Sequence, residues 1–534
     1  MSSQPDAIII GSGPNGLVAA NYLVDRSWSV QVLEAQPTPG GAVRSASDVH
    51  VDFIHDTFSA FYPLAAVSPT IRSFGLEAHG LAWTHAPAVL GHMLPDGNWA
   101  LLHRDRELTA SWMEHATAGD GEAWLNLCAQ WDAIGEDLIG ALLSPFPPIK
   151  SGLSGTAHLR AAGGLDFIRT MLTPVRDLGR TRFGGPMPRI LLAGNASHAD
   201  IPLDAPGSGL MGFLMTMMGQ TVGFPVPVGG AGKLTEALAR RFESLGGRIT
   251  CSAEVTRILV ENGRCLGVQL ADGQKLSARR GVLADVVASK LYGGLVPWSD
   301  LPAKTQRAMR NFEMDPGTVK VDWALDGPIP WQNKPEFAPG TVHVADSVDE
   351  MTSSLAQVTL GVIPSEPFLL VGQMSTADPT RSPPGTESLW AYTHVPHKTE
   401  NDTDNVIRGA WDRDDCEAMA DRMQARIEKL APGFESKIQA RRVLGPREME
   451  ARDVNLVGGA VNGGTSQLQQ QLMFRPIPGL GRAETPVKDL YLASASAHPG
   501  GGVHGAPGMN AARAAVAHDR LASLTPWRSR SLKL

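Results

Sequence analysis

Three spaced glycines near residue 10 are arranged as in a phosphate-binding turn. The apolar run Ala7-Ile8-Ile9-Ile10 is followed by Gly11, Gly13 and Gly16, and Glu34 closes the next apolar run. Gly11 permits the tight turn, Gly13 lets the backbone approach a pyrophosphate, and Gly16 lets the following helix pack closely on the strand. The N–H groups and dipole of that helix hold phosphate charge. Since Glu34 is placed to accept both ribose hydroxyls, the spacing predicts a dinucleotide site.

Two further glycine-rich segments indicate which dinucleotide binds. Gly40 and Gly41 supply a second close approach to the pyrophosphate, a feature of FAD proteins rather than of nicotinamide dehydrogenases. Residues 489–495 have the pattern of a strand, and the glycine-rich segment 498–510 leads from it into an alanine-rich helix over 511–524. That helix would direct its positive end at the flavin N1/O2 edge, where negative charge gathers on reduction. Two such loops, far apart in the chain, predict a long extended cofactor, and we expect FAD.

Four separated blocks of the sequence resemble the flavin amine oxidase and phytoene desaturase superfamily, and within it the phytoene-dehydrogenase-like oxidoreductases. The blocks are residues 7–44, 227–234, 378–385 and 489–512. One position departs from the family pattern: many relatives carry Arg directly after the glycine pair, whereas this chain has Ala42 there and Arg44 further on. The resemblance implies an FAD-dependent oxidoreductase, but it does not identify the substrate.

The glycine pattern and the resemblance together define the residues that we expect to contact FAD. By resemblance, the backbone of Val255 contacts the adenine, and a simple edge strand is the alternative for that segment. The whole set is Gly11, Ser12, Gly13, Pro14, Asn15, Gly16, Glu34, Ala35, Gly40, Gly41, Ala42, Val43, Arg44, Val255, Gly501, Gly502, Val503, Gly508, Met509 and Asn510.

Few catalytic side chains are expected, because a flavin enzyme has mainly to position a C–H bond over N5 and to manage one proton. The candidates for that proton are His55, Asp56 and His504, since relatives route these two segments past the isoalloxazine. An imidazole that is neutral near pH 7 suits an acid or a base. A structural role is the alternative for each histidine, and His498 is expected to brace its loop.

Composition and charge exclude several classes of protein. With 534 residues, 43% of them hydrophobic, the chain can bury the cores of two domains. A net charge of -7 argues against nucleic-acid binding, which requires a basic face. The cysteines show neither CxxC nor zinc-like spacing, so we expect no metal site, no redox-active disulfide and a reducing compartment. They are Cys128, Cys251, Cys265 and Cys416.

A cytoplasmic location is expected from the two ends of the sequence and from its hydropathy. The first strand begins within a few residues of Met1, which leaves no room for a signal peptide. No apolar run is long enough to span a membrane. Arg528, Arg530 and Lys533 are interpreted as a solvated tail, with a peripheral contact at a membrane surface as the alternative. A homodimer is left open.

The order of elements predicts an α/β fold in which a Rossmann-like FAD-binding domain of the glutathione-reductase type is interleaved with an α+β substrate domain. The FAD-binding domain is assigned to residues 1–75, 225–293 and 484–525, and the substrate domain to 76–224 and 294–483. Residues 104–224 are mostly helical in pattern, and strand-like runs within 318–397 predict an antiparallel sheet. The substrate pocket should lie between this sheet and the flavin.

The methionine-rich segment 210–218 is the part of the sequence that could indicate the type of substrate. Methionine is flexible and polarizable and adapts to irregular apolar shapes, so this segment is either a wall of a substrate tunnel or plain core or a subunit contact.

The features favour an FAD-dependent dehydrogenase or desaturase that transfers a hydride from an apolar substrate C–H to flavin N5. A flavin amine oxidase is the main alternative, although the chain has only five tyrosines and no lysine in a matching motif. A non-catalytic prenyl carrier of the same fold and a flavin-dependent isomerase are further alternatives. No second strand-coupled GxGxxG occurs, so we expect electrons to leave to oxygen or a quinone-type acceptor.

Overall fold

The computed structural model describes residues 4–479 and 481–524, and two β-sheets organise them. The first is a five-stranded parallel sheet. Its strands, in spatial order, are Leu490–Leu492, Gly281–Ala284, Ala7–Ile10, Val30–Leu33 and Arg248–Thr250. The central strand Ala7–Ile10 is buried at every position, as expected when both faces of a parallel sheet are covered.

Alternate residues of the central strand face two different cores. Ala7 and Ile9 belong to a core that includes small side chains of the helices Pro14–Val24 and Ala506–Leu524, which pack against each other. Ile8 and Ile10 belong to a core that includes a three-stranded antiparallel sheet on the other side. The strands of that sheet are Val255–Glu261, Arg264–Leu270 and Lys275–Ser277. The helix Gly232–Ser244 also packs against Pro14–Val24.

The second sheet has seven strands and is antiparallel apart from one pair. In spatial order the strands are Ile438–Leu444, Gly317–Leu325, Glu387–Val395, Leu369–Gln373, Pro339–Val344, Ala88–Met93 and Trp99–Leu102. The strands Pro339–Val344 and Ala88–Met93 pair in parallel, which the sequence patterns did not indicate. One face of this sheet packs its apolar residues against the helix Arg413–Leu430.

The predicted helical region contains seven helices. They are Arg106–Ala116, Asp120–Leu143, Ile149–Leu159, Leu165–Leu172, Val175–Arg182, Pro186–Ser197 and Ser208–Thr221. The other α-helices are Pro63–Val67, Pro69–Arg72, Ala288–Lys290, Ala303–Arg310, Val348–Thr359, Met374–Ala377 and Pro446–Arg452. Short strand pairs are formed by Ser45–Ala46 with His55–Asp56, Trp83–Thr84 with Val226–Pro227, and Val362–Ile363 with Asn401–Asp402.

The methionine-rich segment lies on the helix Ser208–Thr221. Met217 and Met218 are fully buried in a hydrophobic core, whereas Met215 is only partly buried at its edge. Of the two interpretations of this segment, burial in the core is therefore right for Met217 and Met218.

The hydropathy of the helices and the state of the cysteines bear on the expected location of the protein. No helix within 4–479 and 481–524 is long and apolar enough to cross a membrane. All four cysteines lie in this part of the chain and are free thiols. Arg528, Arg530 and Lys533 lie outside the described residues.

Candidate active site

A cavity of about 420 Å³ lies at the carboxyl edge of the parallel sheet. Its walls include Gly11 and Gly13 at one end of the chain and Gly500–Val503 at the other. Glu34 and Asp285, which each follow a parallel strand directly, complete this edge. Ligands of open α/β sheets bind at such an edge. The two glycine segments thus border one continuous space.

The glycines are needed where backbones come into contact. A Cβ atom on Gly41 would lie 2.9 Å from the Cα of Gly13, and a Cβ on Gly13 would lie 2.8 Å from Asp285 Oδ2. A side chain at Gly508 would collide with the carbonyl of Asn15, so the two helices that start at these glycine segments meet through backbone. Only glycine allows these approaches.

Glu34 holds the N-terminal turn and faces the cavity. Its Oε2 accepts hydrogen bonds from the Ser12 N–H at 2.8 Å and from Ser12 Oγ at 2.6 Å, and Oε1 accepts one from the Gln36 N–H at 2.9 Å. A carboxylate has about four acceptor sites, so capacity remains for a ribose hydroxyl.

Most of the predicted cofactor residues line the cavity, and some lie behind its wall. The lining residues are Gly11, Gly13, Pro14, Asn15, Glu34, Ala35, Gly41, Ala42, Val43, Arg44, Val255, Gly501, Gly502 and Val503. The lining does not include Ser12, Gly16, Gly40, Gly508, Met509 and Asn510. Arg44 reaches the cavity although Ala42 occupies the usual arginine position, and its Nε is buried without a partner.

Asp285 and the segment 452–456 line the cavity but were missed in the sequence. The signal for Asp285 was an acid directly after the apolar run Gly281–Ala284. Asp285 Oδ2 accepts a hydrogen bond from the Gly16 N–H at 2.9 Å. Burial, together with the nearby Asp453 and Glu34 carboxylates, raises the pKa of Asp285 to about 8. This carboxyl is therefore largely protonated at neutral pH.

His504 uses both ring nitrogens within the C-terminal glycine segment. Nδ1 accepts a hydrogen bond from the Ala506 N–H at 3.1 Å, so Nε2 carries the proton and donates to the Gly501 carbonyl at 3.1 Å. Burial lowers the pKa of His504 to about 4. His498 contacts the carbonyl of Ser144 at 3.1 Å. Both histidines thus brace the loop, and the catalytic role of His504 stays a prediction.

Asp56 belongs to a buried ion-pair network. Its Oδ2 accepts a hydrogen bond from Arg381 Nη1 at 2.9 Å, and Oδ1 accepts from the Ala231 N–H and from Ser45 Oγ, both at 2.7 Å. Arg381 in turn donates from Nε to Asp378 Oδ2 at 2.9 Å. The network ties together the family blocks around residues 44, 230 and 380, which gives Asp56 a structural role. Its catalytic role stays a prediction.

His55 also lies away from the cavity. It is fully buried, and its Nε2 is 3.0 Å from the carbonyl of Trp323. Burial lowers the pKa of His55. Its contacts therefore do not support the acid or base role expected from the sequence.

The second face of the seven-stranded sheet is unusually polar. Lys320 and Tyr392 are cross-strand partners on it, and Leu370 and His343 continue the same row. Phe61 packs against Trp390 with ring centroids 6.1 Å apart, and Trp390 stacks on Tyr392 at 5.9 Å. A Cβ on Gly502 would meet Leu64 at 2.5 Å, so Leu64 lies against the C-terminal glycine segment. Leu64 belongs to the same hydrophobic core as these aromatic side chains.

The residues present fit FAD. The cavity joins a phosphate-type turn, an acid suited to a ribose and a second glycine segment, and Val255 lies among its walls. The unpartnered Nε of Arg44 gives a buried donor for an anionic group.

Comparisons with known proteins agree with this fit. The family described as flavin containing amine oxidoreductase matches residues 207–516, and an NAD(P)-binding Rossmann-like domain matches residues 9–74. A mouse relative, pyridine nucleotide-disulfide oxidoreductase domain-containing protein 2, is 27% identical over 96% of this chain and 93% of its own. A lycopene-forming phytoene desaturase of Paracoccus is 27% identical over 55% of each chain.

Solved structures share the fold. Cyclohexylamine oxidase from Brevibacterium oxydans superposes with a TM-score of 0.60 at 15% identity, covering 97% of this chain and 100% of its own. These findings confirm the predicted resemblance, the Rossmann-like α/β fold class and FAD as the cofactor.

Proposed function

The chain belongs to the flavin-containing amine oxidoreductase family, and we propose that it uses FAD to oxidise an apolar substrate at a C–H bond. The observation that carries this proposal is that both glycine segments line one cavity. Leu64, which lies against Gly502, shares a hydrophobic core with the aromatic group of Phe61, Trp390 and Tyr392. Bound FAD supplies a ring that accepts a hydride at N5.

The chain's own residues would bind the cofactor and orient the substrate. Gly13 and Gly41 line the part of the cavity that would hold the pyrophosphate, and Glu34 would accept the ribose hydroxyls. The aromatic group and Leu64 would hold the apolar body of the substrate and exclude water. Burial of apolar surface contributes about 25 cal/mol per Å², so such a substrate binds without a charged anchor.

Amine oxidation is the second candidate, and the stacked pair Trp390 and Tyr392 favours it, because amine oxidases often place aromatic side chains before the flavin. Lys320 is a buried lysine on the same face, outside every motif of the sequence. Its ammonium group donates to the Asp322 carboxylate and to the Asp56 carbonyl. This ammonium group lies 5.8 Å from the centroid of the Trp390 ring and is paired with Asp322, so it does not decide between the two candidates. The FAD site counts against a non-catalytic carrier, and isomerisation stays an alternative.

Anaerobic bleaching of the flavin tests the proposal. Cyclic alkenes and polyenes should bleach it, whereas cyclohexylamine and butane-1,4-diamine should not. Phe61→Ala should raise the substrate concentration required, and Phe337→Ala, which removes another partly buried ring outside this group, should not. Bleaching by the amines alone would establish the second candidate instead.

We further propose oxygen or a quinone as the electron acceptor. Addition of oxygen or of a soluble quinone to the bleached protein should reoxidise its flavin. Rapid stoichiometric reduction of the flavin by micromolar NADH or NADPH would contradict this part of the proposal.

A further inference from the structure

Arg475 is a buried arginine whose hydrogen bonds all go to backbone. Its side chain is fully buried, and it donates to the carbonyls of Asn462, Gly464, Thr465 and Ala495. Within the described residues no carboxylate forms an ion pair with it. Burial lowers the pKa of Arg475 only to about 10, so the guanidinium stays charged at neutral pH.

This charge lies directly behind the cavity wall. Ala495 and Gly500 line the cavity, and Arg475 donates to the Ala495 carbonyl at 2.8 Å. A Cβ on Gly500 would lie 3.5 Å from the guanidinium carbon. Only one layer of backbone therefore separates the positive charge from the space that the C-terminal glycine segment borders. The neighbouring His498 and His504 add no charge, because burial and Arg475 lower the pKa of each to about 4.

Asp315 holds the same wall from another side. It is fully buried, and its carboxylate accepts hydrogen bonds from the N–H groups of Val461 and Asn462, both at 2.7 Å, and of Gly464 at 2.9 Å. Arg475 binds the carbonyls of Asn462 and Gly464. The loop thus carries one buried charge of each sign, and both contact residues of the cavity wall: Arg475 contacts Ala495 and Gly500, and Asp315 contacts Val461.

We propose that Arg475 is a positioning residue that raises the reduction potential of FAD bound in this cavity, and that Asp315 opposes it. The proposal rests on the proposed function in one respect only, that the flavin lies beside the C-terminal glycine segment. Accepting a hydride adds one net negative charge to the cofactor. A fixed positive charge in a dry site stabilises that charge without reorganisation, and a fixed negative charge destabilises it.

Reduction potentials of the purified FAD-loaded variants test this inference. They are measured against redox dyes with an artificial donor, so no substrate is involved. Arg475→Gln should make the potential more negative by at least about 30 mV, which is a tenfold change for a two-electron couple. Asp315→Asn should shift it in the positive direction, and Arg475→Lys should stay close to the unaltered protein. Arg482→Gln, at an exposed position, is the matched control and should change nothing.

Opposite shifts separate an electrostatic role from a structural one, because damage to the loop would move both variants in the same direction. Shifts of equal sign, no shift, or a lysine variant as altered as the glutamine variant would overturn the inference. If Arg475→Gln does not fold, a positive shift in Asp315→Asn together with an unshifted Arg475→Lys supports the inference, and a negative or absent shift in Asp315→Asn overturns it. Failure of apolar substrates to bleach the flavin would contradict the proposed function and leave these potentials unaffected.

Discussion

At the scale of single residues, Asp285 is an acidic side chain in the cavity wall, next to the place where we expect the anionic pyrophosphate of FAD. Its carboxyl contacts the Gly16 N–H at the start of the helix Pro14–Val24 and lies beside the path left open by Gly13. Because burial raises its pKa to about 8, the group is neutral at pH 7 and does not repel a pyrophosphate. The other charged residues that line this space are Glu34, Glu254, Asp453, Arg44, Lys290 and Arg452.

FAD affinity should therefore depend on pH. A bound dianion raises the pKa of Asp285 further, so binding takes up a proton and weakens as pH rises through about 8. The dissociation constant should be flat below neutral pH and rise by up to about tenfold per pH unit above 8. Asp285→Asn keeps an acceptor for Gly16 and should remove this dependence. Titration of apoprotein with FAD, followed by flavin fluorescence, measures it; equal pH profiles in both proteins would contradict the idea.

The ion-pair network of Asp56, Arg381 and Asp378 should contribute to stability rather than to proton transfer. Arg381→Met leaves two buried carboxylates without their cation and should cost about 3–5 kcal/mol of unfolding free energy. The exposed pair of Arg106 and Asp132 supplies the control, and Arg106→Met should cost less than about 1 kcal/mol. Urea denaturation measures both. Equal losses would mean that the network is no stronger than a surface pair.

At the scale of elements, the glycine turn could be predicted because its signal is local. Strand, turn, helix and Glu34 all lie within residues 7–34, and the second glycine segment repeats the pattern. The segment 452–456 lines the cavity, and Arg475 lies behind its wall, through contacts between distant parts of the chain that no local spacing encodes. His55, Asp56 and His504 were singled out by residue type and segment. Their hydrogen-bond partners, which indicate structural roles, come from folding.

The helix Ser208–Thr221 should respond differently at its two methionine positions. Met218→Ala opens a cavity in the core and should cost about 2–5 kcal/mol. Met215→Ala removes a partly buried side chain at the edge, so the loss should be nearer 1 kcal/mol. If this edge borders the substrate, only Met215→Ala will raise the concentration of apolar compound needed to bleach the flavin. Thermal unfolding and the bleaching assay together separate the two effects.

At the scale of the whole molecule, the FAD site joins segments from opposite ends of the sequence. A chain that stops at residue 480 lacks the strand Leu490–Leu492 and the helix Ala506–Leu524. It should contain no FAD, since both the cavity wall and one edge of the parallel sheet are missing. A chain that stops at 524 should retain FAD. The flavin content of the two purified chains tests this prediction. A normal flavin content in the chain that stops at residue 480 would contradict it.

The same arrangement has a consequence for biosynthesis. The strand Ala7–Ile10 leaves the ribosome early, whereas Leu490–Leu492 and the glycines at 500–502 are made near the end. At roughly 5–20 residues per second, the first glycine turn waits on the order of a minute for its counterpart. The nascent protein must hold its apolar sheet edge without cofactor during that interval. Chaperone demand and flavin supply should therefore limit the yield of active protein together.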